Sequence, residues 1–380
     1  MVALLAGLLA IGSSCAAADA PAVSSVVPYG YVKLDAAWDD SRVDSGNYAK
    51  WVNAEDVNKN DSQFSMTANE TRLGLKVTGP EFGRMKTRAQ VEGDFYGGGA
   101  ENKSNPMLRH AYAEVSWPAW DLAVLGGQTA DVIGALNPRV LNYTVFWWAG
   151  NLGYRRPQLR VTKGLTIGDN RVEFTAAAVR TISTSAIWFT GDPGADNGSP
   201  TGEGRIALTV PTWTKQKATV GVSGHFGQEE WDASKAGNPR YFRSWSGGVD
   251  LVLPVLETLS LQGEGWMGEN LGAYLGGIGQ SFNFSKLKGI RAKGGWVSLN
   301  AGPYKFWKVT VGTSVDDPDD DDLSAAADKT LNQAAFASVT YDITPASTVG
   351  IEISDWMTSY KELKKNAEAA RVQMSLIHRF

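Results

Sequence analysis

The chain has 380 residues, 42 of them Gly and 14 Trp, with only 20% charged side chains and a formal net charge of −4. So much glycine and tryptophan against so little charge does not fit a soluble α/β enzyme, and the mild acidity does not fit a nucleic-acid binder. No Pro-rich or Ser-rich linker separates two cores, so the length reads as one folded unit.

Val2 to Ile11 form a short apolar run followed by small residues, the pattern of a secretory signal peptide over 1–18. The run is too short to cross a bilayer as a helix, which takes about 20 apolar residues. Ala16-Ala17-Ala18 offers a cleavage site, and Ala18-Asp19-Ala20 a second one with Pro21 after the cut. No Lys or Arg precedes the run, so the start is expected to lie inside a longer signal. Cys15, the single cysteine, is preceded by a poor lipobox and is expected to leave with the signal. Residues 19–27 then form a periplasmic segment, and 28–380 a transmembrane barrel.

From there, alternating segments run to the end of the chain. They fall at 28–39, 63–78, 84–96, 107–117, 120–130, 152–163, 170–181, 203–211, 216–228, 240–253, 258–268, 289–299, 304–315, 334–344, 347–358 and 367–380. In the clearest, Met85, Thr87, Ala89, Val91, Gly93 and Phe95 share one face, and Lys86, Arg88, Gln90, Glu92 and Asp94 the other. Period two over this length exceeds the five or six residues of an average soluble strand. The connections are short and long by turns, and five of the seven short ones contain proline, which fixes φ and cannot extend a ladder. An even strand number with short turns on one side and long loops on the other is the architecture of an all-β, sixteen-stranded antiparallel transmembrane barrel. Trp38, Trp117, Trp120, Trp213, Trp245, Trp307 and Trp356 sit near segment ends, where interfacial girdles lie. The last segment carries Val372, Met374, Leu376, His378 and Phe380 on one face and Arg371, Gln373 and Ser375 on the other. It reads as the closing strand, with the terminal Phe380 as the signal read by the barrel-assembly machinery.

Thr71 to Val77, Gly127-Gln128-Thr129, Leu136-Asn137-Pro138, the stretch Gly150 to Arg160 and the acidic run after Val315 resemble the DcaP-like porins across nearly the whole mature chain. The resemblance implies a homotrimer of sixteen-stranded channels in the bacterial outer membrane, with passive uptake of small, mainly anionic solutes such as dicarboxylates. Founding members of that family carry an N-terminal coiled coil; here only 19–27 separate the signal from the first strand.

The third long connection, 131–151, is the natural constriction loop, with Asn137, Arg139 and Asn142 as polar groups and Val145, Phe146, Trp147 and Trp148 as packing. The alternative is a surface or trimer-contact loop. The strand faces beside it are basic: Arg72, Lys76, Lys86, Arg88, Arg155, Arg156, Arg160, Arg171 and Arg205. A cation on the lipid face costs about 2–4 kcal/mol at the midplane, so these side chains are expected in the lumen. There they concentrate anions, and guanidinium matches carboxylate geometry. Glu92, Asp94 and Glu114, with Glu173, Glu264 and Glu352, are acidic lumen candidates, so a weak to moderate anion preference is expected. Lys86, Arg88, Arg156, Arg160 and Arg139 are the residues expected to set it.

The run Asp316-Asp317-Pro318-Asp319-Asp320-Asp321-Asp322 lies in an expected extracellular loop, 316–333; without its six carboxylates the formal charge would go from −4 to +2. Asp317, Asp319 and Asp321 are weak divalent-cation candidates, since the run lacks the glycine and closing glutamate of an EF-hand; a solvated acidic loop is the expected state. The three histidines, His110, His225 and His378, show no zinc spacing, and no cofactor motif occurs. The sequence therefore reads as a porin rather than an enzyme. A barrel enzyme or adhesin working through its rim loops, with His110 at the outer end of the fourth segment, is the second reading. A large secreted β-protein is the third.

Overall fold

A computed structural model describes residues 25–54, 61–98, 103–183, 197–231 and 240–380, and in it sixteen antiparallel strands close on themselves. They are β1 (Ser25–Asp39), β2 (Gln63–Thr67 continued by Arg72–Thr78), β3 (Lys86–Asp94), β4 (Met107–Trp117), β5 (Leu122–Ala130), β6 (Arg155–Ile167), β7 (Asn170–Val179) and β8 (Thr201–Pro211). The second half comprises β9 (Lys217–Trp231), β10 (Arg240–Leu256), β11 (Leu259–Glu269), β12 (Arg291–Tyr304), β13 (Trp307–Pro318), β14 (Lys329–Asp342), β15 (Ser347–Tyr360) and β16 (Ala367–Arg379). Every expected segment forms a strand. β1 starts earlier than its alternation implies: Ser25 to Val27, assigned to the periplasmic segment, pair with Thr78 to Lys76. The signal peptide and Cys15 lie outside the described residues.

β1 pairs with β16 from Tyr31↔Arg379 to Asp39↔Arg371 and with both parts of β2, so no edge is left open. Phe380 completes the seam through backbone bonds with Gly30 in both directions, at 3.2 and 3.3 Å. A Cβ on Gly30 would stand 2.2 Å from the Arg72 carbonyl oxygen and 3.0 Å from the Phe380 ring, so the seam needs glycine there.

Apolar side chains face out and polar ones face in. On β16, Val372, Met374 and Leu376 are 37–51% exposed, while Arg371, Gln373 and Ser375 are at most 2% exposed. On β1 the same contrast separates Val32, Leu34 and Trp38 from Lys33, Asp35 and Asp39. This inversion of a soluble core is what lipid outside a closed barrel requires. No helix among the described residues is long and apolar enough to cross a membrane; the strands do the spanning. Trp38, Trp120, Trp213 and Trp307 are 45–73% exposed near strand ends, as a girdle requires. Trp356 is not part of it: it has no exposed surface and packs inside against Phe146 at 5.4 Å.

The described parts of the loops after β1 and β11 fold into the outer half of the lumen instead of standing above it. Ala49 and Val52, on the loop after β1, are fully buried with Phe146 and Trp356. Leu271 and Tyr274, between β11 and β12, are buried with Ile133, Leu152 and Trp266. The acidic run is likewise not the solvated loop its composition implies. Asp316 to Pro318 end β13 and Lys329 to Gln333 open β14, leaving 319–328 as the connection. Asp316 is fully buried and accepts from the Ile278 N–H at 3.1 Å. Asp322 is also fully buried. It takes Arg291 at 2.9 Å and pairs with Lys288. Burial alone would raise its pKa, but these hydrogen bonds win and hold the carboxyl well below the usual range. Asp317 pairs with Lys293 at 3.2 Å, Asp319 accepts from the Asp321 N–H, and Asp321 faces solvent. Among the described residues no group of His, Cys, Asp or Glu could hold a metal.

Candidate functional site

The site is a constriction made where the loop 131–151 folds into the barrel. Its two ends are stitched together: the Asp131 N–H donates to the Tyr154 carbonyl at 3.0 Å, and the Tyr154 N–H to the Asp131 carboxylate at 2.8 Å. The outgoing limb crosses the lumen with its backbone N–H groups bonded to wall carboxylates. Glu203 on β8 takes Val132 at 2.6 Å, Glu264 on β11 takes Leu136 at 2.8 Å, and Glu352 on β15 takes Leu141 at 2.7 Å. The Leu141 carbonyl in turn accepts from Lys33 and Gln373 at 2.8 and 2.9 Å. The returning limb is held by packing, with Phe146 at 4.8 Å from Phe336, and by the Trp266 indole, which donates to the Gly150 carbonyl at 2.7 Å. Gly150 lies so close to the wall that a Cβ would stand 2.3 Å from the Gly295 carbonyl oxygen, and its φ of +122° is one that side chains avoid. The surface-loop reading of 131–151 is thus overturned. Its Phe-Trp-Trp run lies inside the barrel.

Between this loop and the wall lies a cavity of about 280 Å³ whose ionisable lining is Glu70, Arg72, Arg109, His110 and Arg155. Two local irregularities build it. β2 breaks at Ala68 to Thr71, and the break turns Glu70 inward, where it accepts from the Tyr31 hydroxyl at 3.1 Å. A register shift between Glu92 and Gly93 on β3 sets Arg109 and His110 of β4 together on the lumen side. Arg109 then bonds Glu92 at 3.0 Å and Asp94 at 2.6 Å. His110 meets the Thr129 hydroxyl at 3.0 Å inside the lumen, so it is not the rim residue that the enzyme reading requires. Arg155 lies over the rings of Trp147 and Tyr154, at 5.3 and 5.0 Å, with its Nη2 buried and without a partner.

The expected residues divide into three groups. Arg72 and Arg155 line the cavity; Arg72 stands over Tyr31 and 3.4 Å from Glu92, an ion pair without an aligned hydrogen bond. Glu92 and Asp94 face the same space through Arg109, and Arg139 is exposed on the inward loop. Lys76, Lys86, Arg88, Glu114, Arg171 and Arg205 lie toward the short-turn side. Lys76 covers Tyr29, Lys86 pairs with Glu81, and Arg88 with Glu114 at 2.8 Å. Arg171 is bound by Asp121 and Glu173, Arg205 by Asp250, and Arg160 by Gln158 and the Ala130 carbonyl. Arg156 does not line the pore. It is 1% exposed, 2.9 Å from Asp131, 3.8 Å over the Tyr274 ring, and donates to the Ala273 carbonyl. The loops that fold over β6 cover it, turning an expected selectivity residue into a tie between loop and wall.

Arg109 and Glu70 are the residues that the alternation leaves misplaced or ambiguous, while Lys33 keeps the inward parity of β1 although it was not among the expected residues. By parity Arg109 falls with Ala111, Ala113 and Val115 on the lipid face. An arginine there is the sequence signal of a bulge, because the lipid face would not tolerate it.

No protein-family model and no curated protein matches the sequence. Among solved structures the chain is similar to the outer membrane channel DcaP of Acinetobacter baumannii, at 18% identity and a TM-score of 0.74 over 94% of this chain and 97% of that one. It is also similar to an anion-selective porin from Comamonas acidovorans, at 13% identity and a TM-score of 0.60 over 94% and 99%. OprB of Pseudomonas putida aligns at 8% identity and a TM-score of 0.59 over 93% and 94%. The likeness is one of fold: this chain forms a closed barrel of the same architecture as these outer-membrane channels.

Proposed function

We propose that the protein is a porin passing small hydrophilic, mainly anionic solutes by passive diffusion, with carboxylates of the dicarboxylate type as the favoured class. The observation that carries this reading is the constriction cavity, where the guanidinium groups of Arg72, Arg109 and Arg155 converge and Arg155 keeps a buried, unpartnered Nη2. A narrow aqueous path lined by cations concentrates anions and repels cations. Arg139, exposed on the inward loop, adds to the same field. Glu70, Glu92 and Asp94 offset part of the charge, which keeps the preference moderate. The pairs farther down, Arg88–Glu114 and Arg205–Asp250, are internally neutral and leave selectivity to the constriction. The reading includes a homotrimer, export by the signal peptide over 1–18, and recognition of the Phe380 terminus during assembly; it assigns no catalytic group.

The test is single-channel conductance in a planar bilayer with a salt gradient. Steps in groups of three with an anion-favouring reversal potential are expected. A folded barrel that carries no current, or one that reverses in favour of cations, removes this reading and sends attention to the rim loops.

A further inference from the structure

At the outer mouth, above the constriction, two ammonium groups share one indole. Lys50 and Trp51 come from the loop after β1, Trp148 from the returning limb of the inward loop, and Lys329 opens β14. Lys50 Nζ lies 4.6 Å from the Trp51 ring centre and 5.2 Å from that of Trp148. Lys329 Nζ lies 4.2 Å from Trp51. The two indoles meet edge to face at 6.4 Å. Asn332 ties the segments together, its amide donating to the Lys50 carbonyl at 2.7 Å and the Trp148 carbonyl at 2.8 Å. Three separate stretches of chain are therefore held in one arrangement.

Charge does not balance within it. Lys50 pairs with Asp44 at 2.6 Å. Lys329 has no ion pair or side-chain hydrogen bond among the described residues, and Asp44 and Asp328 act on it only through space. Asp44 is already taken by Lys50, and Asp328 accepts the N–H groups of Ser324 and Ala325 at 2.8 Å each. A ring face attracts an ammonium but uses none of its three N–H donors as an oxygen would. Trp51, Trp148, Lys50 and Lys329 are all partly exposed, so solutes arriving from outside reach them.

We propose that Lys329, with Lys50 beside it, forms a second anion site at the mouth of the channel, taking the carboxylate or phosphate group of a solute. An oxyanion there accepts the free Lys329 N–H donors and relieves the repulsion between the two lysines. The indoles give the rest of the solute a flat apolar flank. The site shares no residue with the lining of the constriction cavity, so it acts as a separate station.

The folded barrel in detergent at low salt is titrated with inorganic phosphate and, separately, with succinate, reading tryptophan emission. Subtracting the Trp51→Phe variant isolates the Trp51 signal, and gel mobility with and without heating checks folding. A saturable Trp51 signal is expected with either probe, preserved in Arg155→Gln, at least tenfold weaker in Lys329→Met, and restored in Lys329→Arg. Lys50→Met weakens it too and serves if Lys329→Met does not fold. No saturable signal, an unchanged one in Lys329→Met, or one lost in Arg155→Gln overturns the proposal.

Discussion

Two arginine–carboxylate pairs face inward at almost the same separation, Arg88–Glu114 at 2.8 Å and Arg156–Asp131 at 2.9 Å. The first leaves the arginine side chain 61% exposed, and the second leaves its partners 1% and 0% exposed. Strand parity treats them alike, and the difference is the roof. Toward the short turns the lumen is open and water reaches the charges; toward the long loops, folded segments cover them. An inward-facing charge is therefore a pore charge only where it still borders open space, as Arg88 does in the lower lumen and Arg155 does in the constriction cavity. Elsewhere it is a tie, and its removal shows in stability before it shows in current.

Breaking the covered pair gives the largest effect. Asp131→Ala strands a buried guanidinium and is expected to cost about 3–5 kcal/mol, read from denaturant unfolding in detergent. Arg88→Ala, in the open half, is expected to cost under about 1 kcal/mol in the same assay. Equal losses would erase the distinction. Next comes the loop itself. Glu352→Ala removes the acceptor of the Leu141 N–H at 2.7 Å, a hydrogen bond worth about 1 kcal/mol. Single-channel conductance should rise and become noisier while the barrel stays folded. An unchanged conductance means that the other contacts hold the loop by themselves.

Selectivity sharpens the comparison further. Arg155→Glu should move the reversal potential toward cations, and Arg88→Glu should move it less. The reverse order would put the filter in the open half. The smallest effect concerns Asp322. Its carboxyl is held below the usual range, so its contribution is present above the unfolded pKa and is lost only as pH falls through the lower folded value. Pepsin at about pH 3, below the reference carboxylate pKa, should leave the connection 319–328 intact in the native protein and cut it in Asp322→Asn.

Period-two patterning is a local property, and it was enough to place sixteen strands, their two faces and the closing strand at Phe380. The Gly150 to Arg160 stretch was singled out only by its resemblance to the DcaP-like porins, and the structure gives its parts geometric tasks, from the close approach of Gly150 to the clasp of Arg156. What the sequence by itself determined is thus the barrel: alternation reports which side of each residue meets lipid, and lipid permits only closure. The tertiary structure alone decided which inward residues meet the solute. A register slip brought Arg109 in from the lipid parity, a break turned Glu70 to the cavity, and folded loops buried Arg156 and Asp316. Those outcomes depend on contacts between segments far apart in the chain, and a period-two pattern carries no record of them.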